Sequence, residues 1–276
     1  MVTARTSGPT CVSGPHDDRI DPRSVWSHCR TMTSRQLLSV GDDRFRVGPW
    51  HADERIAYLA LQPLIARPSV DGLRGCLRRL ADAGYSSVIT SALHPSEASS
   101  FNEAGFAEYD RLRVLSHDLR NVDPPHQPLA ASVRLRRARR RDKAAALVVD
   151  ARAFPTFWRL DRTAMVEAEQ ATPTSRFRVA VSSEVDRSGS PVVGYAITGR
   201  GSGQGFLQRL ATDPDLAGSG VGSALVLDAL QWASRRRCQS LLVNTQRENH
   251  RALALYEHLG FVATTTDLVV LSRAVP

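Results

Sequence analysis

The chain has 276 residues, enough for one large domain or two small ones with a sizeable core. Its 42% hydrophobic content is that of an ordinary soluble protein, no apolar run approaches the ~20 residues of a membrane span, and the opening MVTARTSGPTCVSGPHDD lacks the apolar centre of a secretory signal. The net charge of +8 rests on arginine, since Lys143 is the one lysine among 36 basic residues, and the four cysteines (Cys11, Cys29, Cys76, Cys238) lack metal-ligand or redox spacing, so the composition points to a cytoplasmic protein with reduced thiols and no metal site.

Residues 1–31 are rich in Ser, Pro, Gly, Asp and Arg without apolar periodicity and read as a disordered extension, with Met32 as an alternative start. Residues 38–120 form a first lobe. Within it SVDGLRGCLRRLADAG reads as a helix and SVIT, 87–90, as a strand. The segment 121–133 carries three prolines and reads as a linker. Residues 134–276 form a second lobe.

The two lobes echo each other. SVITSALHPSEASSFNEAGF, 87–106, laid at an offset of 155 on LVNTQRENHRALALYEHLGF, 242–261, places Thr90 on Thr245 and Gly105–Phe106 on Gly260–Phe261. VLSH (114–117) echoes VLSR (270–273) after a one-residue shift. The shared order of elements makes an internal duplication the reading.

The run RLRRARRRDK, 134–143, reads as a solvated lead into the helix 139–154, and binding of nucleic acid through it is disfavoured because no recognition motif or interleaved aromatic accompanies it. DRTAMVEAEQAT, 161–172, is a second helix with Asp161 as its N-cap. FRVAVSS (177–183), PVVGYAITGR (191–200) and GFLQRLATD (205–213) are strands. The loop DPDLAGSGVGSALV, 213–226, then opens a helix, SLLVNT (240–245) is an apolar strand, and a helix containing Asn249 and Tyr256 precedes a closing strand pair.

Gly218, Gly220 and Gly222 alternate where a strand hands over to a helix. Glycine lets the backbone turn tightly and approach a ligand, and the first amides of a helix point outward with the positive end of its dipole, which suits phosphate. The loop is neither GxxxxGK[ST] nor GxGxxG, because no lysine follows and Ser223 stands at the third glycine position.

AGSGVG, 217–222, followed by Asn249, Tyr256 and Gly260–Phe261 in that order, resembles the acyl-CoA motif of the GCN5-related N-acetyltransferases (GNAT), written Q/R-x-x-G-x-G/A. It departs at Ala217, where the family usually has Gln or Arg. The resemblance implies an α/β (α+β) fold of two GNAT-like lobes, each a mixed sheet flanked by helices, the second with a splayed strand pair for acyl-CoA and the first degenerate. It implies that Leu210, Ala211 and Thr212 hold the pantetheine, that Ala217, Gly218, Ser219, Gly220, Val221, Gly222 and Ser223 cradle the phosphates, and that Asn249 also touches CoA. Tyr256 is the implied catalytic acid for the leaving thiolate.

The implied function is direct transfer of acetyl from acetyl-CoA to a primary amine (a protein N-terminus, a lysine or a small molecule), by a monomer or homodimer with no membrane partner. A CoA-binding regulator without chemistry is the alternative. No general base is identified: strand 205–212 has no carboxylate, and Asp213, Glu167, Glu169, Glu248 and His250 remain open. At the offset of 155, Phe101 stands for Tyr256 and His94 for Asn249, and no glycine-rich cradle precedes the first lobe's helix.

Overall fold

The computed structural model of the chain describes residues 35–51, 53–61, 67–120, 133–183 and 191–275. The expectations for 1–31, for Met32 and for most of the linker therefore lie outside the described residues. Strands β1 (Gln36–Val40), β2 (Asp43–Trp50) and β3 (Asp53–Leu61) open the fold, followed by helix α1 (Val70–Asp82), strand β4 (Ser87–Thr90), helix α2 (Ser99–Glu103) and the long strand β5 (Ala107–Asp118). Then come β6 (Val133–Arg137), α3 (Asp142–Ala153), α4 (Arg162–Gln170), β7 (Thr174–Ser182), β8 (Val192–Gly201) and β9 (Gln204–Thr212). The remainder is α5 (Val221–Arg235), β10 (Ser240–Gln246), α6 (His250–His258), β11 (Val262–Ala263) and β12 (Leu268–Ala274).

The helices start where side chains can satisfy their free amides. Ser69 accepts from the Gly72 amide at 2.9 Å at the head of α1, and Asp161 accepts from the Ala164 amide at 2.6 Å at the head of α4. Leu73, Cys76, Leu77 and Leu80 recur at helical spacing and form the buried face of α1. On α5 the buried set, from Val221 through Leu225 and Leu230 to Trp232, covers most of the helix. Full burial of a leucine such as Leu225 stabilises the fold by about 2 kcal/mol.

Strand β6 departs from expectation. Val133–Arg137 pairs with β7 as an edge strand, so the arginine-rich run begins in the sheet rather than as a plain lead into a helix. The reason is local. Val133 and Leu135 pack on the core, while Arg136 is drawn to Asp142 at 2.6 and 2.9 Å.

All described strands share one mixed sheet, in the order β1-β2-β3-β4-β12-β5-β10-β9-β8-β7-β6, with β11 also on β5. Two neighbour pairs are parallel, β3 with β4 and β9 with β10, and the rest are antiparallel. The middle of the order is reciprocal. β5, before the linker, lies between β12 and β10, while β12, at the end of the chain, lies between β4 and β5. Each half thus supplies a strand inside the other's part of the sheet. One core packs α5 and α6 on one face through Leu225, Leu230, Leu241 and Tyr256. A second packs α3 and α4 on the other face through Val149, Met165 and Tyr195. Among the described residues no helix is long and apolar enough to cross a membrane.

Candidate active site

Strands β9 and β10 pair for only three residues, from Leu241↔Gly205 to Val243↔Leu207. β9 continues to Thr212 and β10 to Gln246, so beyond Leu207 and Val243 the two part and leave edge backbone groups facing a gap. A bulge at Gln208, where Ile197↔Arg209 is followed by Thr198↔Leu207, bends β9 at the point of parting. The gap opens into a cavity of about 570 Å³. Its walls include Leu210, Ala211 and Thr212 of β9, Asn244–Gln246 of β10, and the turn between β9 and α5.

Why the turn is open follows from its backbone. Gly218 and Gly220 have φ of 80° and 81°, a region that costs an L side chain about 1–2 kcal/mol. Gly220 caps α5 with no side chain, and the helical ladder at this end starts with the bond from Ala224 N to Gly220 O at 2.9 Å. The amides of Val221, Gly222 and Ser223 therefore precede the ladder, and all three residues line the cavity. Gly222 has a second role: a Cβ there would stand 3.3 Å from Leu255 of α6, so glycine allows α5 to approach α6. Asp213 holds the turn from behind. It is buried, pairs with Arg152 of α3, and accepts from the Asp215 amide at 3.0 Å.

Of the residues expected at the acyl-CoA site, Leu210, Ala211, Thr212, Gly218, Gly220, Val221, Gly222, Ser223, Asn249 and Tyr256 line this one cavity. Ala217 and Ser219 do not line it. The Ser219 hydroxyl instead donates to Leu216 O at 2.6 Å. Asn249 caps α6, its Oδ1 accepting from the Ala252 amide at 3.1 Å, which leaves its Nδ2 for the cavity. Tyr256 is buried among Leu225, Leu230 and Phe261, its ring 5.5 Å from that of Phe261. Burial raises its pKa well above the ordinary phenol value, and the positive charge of Arg209 pulls the other way.

Five contributors were not singled out from the sequence. Arg251 of α6 lines the cavity; an arginine two residues after the helix-capping asparagine was the available signal. Leu112 of β5 lines it from the other half of the chain, because β5 pairs with β10 at Leu112↔Gln246. Phe154 and Trp158, between α3 and α4, form an aromatic wall, and Trp158 packs 5.9 Å from Trp50 of β2. Arg209 of β9 stands beside that wall, its guanidinium 3.5 Å from the centroid of the Phe154 ring.

The open candidates for a base are placed elsewhere. Glu167 is tied to Arg35 at 2.5 Å and Arg46 at 3.4 Å, and burial raises its pKa. Glu169 pairs with Lys143. Glu248 and His250 are exposed, 4.0 Å apart. None of these lines the cavity, whose described walls carry Arg209, Arg251 and Tyr256 but no carboxylate and no histidine. His51, after β2, has both ring nitrogens buried with no protein partner, and desolvation lowers its pKa to about 4. Among the described residues no cluster could hold a metal ion.

The architecture is thus mixed α/β, with a cleft where two parallel strands part in front of a glycine-capped helix. The model of the acetyltransferase (GNAT) family matches residues 146–261, most of the second half of the chain. It is similar to a mycothiol acetyltransferase of Saccharomonospora viridis, 29% identical over 192 residues that cover 63% of this chain and 60% of the relative. The match to this relative therefore spans about three fifths of the relative's length. A mycothiol acetyltransferase of Kocuria rhizophila is 24% identical, covering 97% of this chain and 86% of its own. Among solved structures, a tandem GNAT protein from the clavulanic acid biosynthesis pathway is 15% identical with a TM-score of 0.59, covering 89% of this chain and 85% of that one, a likeness of fold.

Proposed function

We propose that the protein is an N-acetyltransferase that moves acetyl from acetyl-CoA to a primary amine. The observation that carries this reading is the convergence, in one cavity, of a free strand edge, unpaired helix-start amides and a buried phenol. The amides of Val221–Ser223 and the side chains of Arg251 and Asn249 suit the phosphates and the adjoining polar part of CoA. The edge of β9 at Leu210–Thr212 suits the amides of the pantetheine arm. Such an arm would run toward Tyr256, where the thioester carbonyl meets the amine.

The step balances without a further reactant. The amine lone pair forms an N–C bond, the C–S bond breaks, and the sulfur takes a proton while the amine loses one. Backbone N–H near Leu210 stabilises the oxyanion. Tyr256, held neutral by burial, donates a hydrogen bond to the developing thiolate. Its raised pKa makes complete proton transfer costly, so its contribution is greatest in the transition state, where sulfur charge grows.

The first half fits a degenerate lobe of the same kind. β3 and β4 stay paired through Leu59↔Thr90, all of β4, so no gap corresponds to the one between β9 and β10. We read 38–120 as a supporting lobe, 121–133 as its linker and 134–276 as the catalytic one, soluble in the cytoplasm.

Coupled release of CoA from acetyl-CoA, followed across a panel of amines with wild type and Tyr256→Phe, tests the proposal. Amine-dependent release that falls in the variant supports it. Tight CoA binding with no turnover on any amine would favour the regulator instead, a reading supported by the absence of a carboxylate among the described walls of the cavity.

A further inference from the structure

We propose that Arg209 is a specificity-determining residue that selects acceptors bearing a carboxylate beside the reacting amine. The inference rests on the acetyltransferase reading and narrows its acceptor.

The guanidinium is held on three sides. Its Nε and Nη2 donate to the two oxygens of Asp150, both at 2.8 Å, and Nη2 also donates to the Trp158 carbonyl at 2.8 Å. Asp150 is wholly buried and is itself fixed, accepting from the Tyr195 hydroxyl at 2.5 Å and from the Leu160 amide at 2.7 Å. Phe154 supports the guanidinium from one face. Residues of α3, the segment after it and β8 thus converge on one side chain.

What remains is Nη1. It donates to no protein group among the described residues, yet Arg209 lines the cavity. A buried Arg–Asp pair is a weak source of stability, since well-packed apolar residues often do as well. The arrangement is better understood as presentation of a rigid donor. The guanidinium is already ordered, so a ligand meeting Nη1 loses little side-chain entropy.

The place and sign of the charge define the ligand. Arg209 follows the bulge at Gln208 and precedes Leu210, at the point where β9 leaves β10. Its charge is felt by the Tyr256 hydroxyl. It stands by Phe154 and Trp158, on the α3 side of the sheet, whereas the glycine turn leads into α5 on the other face. The phosphates therefore have Arg251 and the helix start, and Arg209 is left for the acceptor. No carboxylate on the described walls competes for it. One free nitrogen with two N–H groups matches a monoanion better than a phosphate, which needs more donors. An α-amino acid, or a peptide-like molecule with a carboxylate next to its amine, has that form.

The test uses the full chain, acetyl-CoA, and matched probes: leucine, phenylalanine and glutamate beside their α-carboxamides and the corresponding decarboxylated amines. Rates are compared per neutral amine. The expected result is a kcat/KM higher by about 10- to 100-fold for the carboxylates, the worth of one charge-assisted hydrogen bond. Arg209→Gln should erase that preference while leaving the Kd for acetyl-CoA unchanged. If loss of the partner of Asp150 unfolds this variant, the wild-type pairs decide alone. Equal or faster acetylation of the carboxamides overturns the selectivity and leaves acetyl transfer standing. Acetylation of no amine overturns both.

Discussion

The ring of Tyr256 lies 5.5 Å from that of Phe261, and at the equivalent turn Phe101 lies 5.2 Å from Phe106. The backbone repeats as well: Phe261 N donates to Tyr256 O at 3.0 Å, and Phe106 N donates to Phe101 O at 3.0 Å. Gly260 and Gly105 both take positive φ, 84° and 85°. A ring at this position thus closes a helix against the sheet in both halves, with or without a hydroxyl. The hydroxyl occurs beside the open cleft, where β9 and β10 part, and not where β3 and β4 stay paired.

Tyr256→Phe should therefore leave the fold intact. Phe101 does the same packing without an oxygen, and the Tyr256 hydroxyl makes no hydrogen bond to the described residues. Thermal unfolding should match wild type within a few degrees, and the Kd for acetyl-CoA should hold. The rate of amine acetylation should fall by about 10²–10⁴-fold, the usual cost of losing a positioned acid. An unchanged rate would reduce Tyr256 to a packing residue.

The glycine turn and Arg251 make separate contributions to holding phosphate. Gly220→Ala forces a side chain into φ 81°, which costs about 1–2 kcal/mol and shifts the start of α5. It should lower both thermal stability and CoA affinity. Arg251→Ala removes an exposed charge and should spare stability while weakening CoA by several-fold, an effect that fades at high salt. Isothermal titration at two ionic strengths separates these outcomes. A Kd for Arg251→Ala equal to wild type at low salt would remove that residue from the cradle.

Much of the second half could be read from residue order, because its signals are local. Alternating glycines before an apolar helix, a capping asparagine and Gly-Phe each act within a turn or two of themselves. The α3 and α4 helices and strands β7–β10 lie within a few residues of where periodicity puts them. What could not be read is long-range. Nothing near Asp150 signals that it meets Arg209, 59 residues away. The insertion of β5 between β10 and β12 depends on pairing across the linker, which leaves no local mark. Strand β6 was hidden by its arginines: Arg136 pairs with Asp142 at the start of α3, while the backbone of the charged run pairs with β7 at the edge of the sheet.

His51 gives a pH dependence of stability with a defined sign. Its imidazole packs 4.0 Å from Trp50, and it is faced by Asp161, Arg35, Arg209 and Asp150. Desolvation is the largest influence and lowers the pKa from 6.5 to about 4, reinforced by the two arginines and opposed by the two aspartates. Above pH 6.5 both folded and unfolded chains hold a neutral ring, so the group contributes nothing. Between 6.5 and 4 the unfolded chain binds a proton that the folded chain refuses, and stability falls as pH falls. The loss reaches about 3 kcal/mol near pH 4 and then levels off. His51→Phe keeps a ring against Trp50 and should flatten this slope in denaturant melts over that window. An equal slope in variant and wild type would show that other groups carry the acid sensitivity.

The pH dependence of catalysis should follow the acceptor rather than the enzyme. The described walls of the cavity carry no carboxylate and no imidazole, so a bound ammonium has no lining group to take its proton. The amine must arrive neutral or lose its proton to water. At the basic end, burial keeps Tyr256 protonated beyond the ordinary phenol range, so its ionisation does not cut off the rate below about pH 10. Log kcat/KM should then rise with unit slope up to the pKa of the amine and stay flat above it. Acceptors with amines of different pKa should move the limb by the same interval. A limb fixed near neutral pH for every acceptor would instead identify a base in the protein.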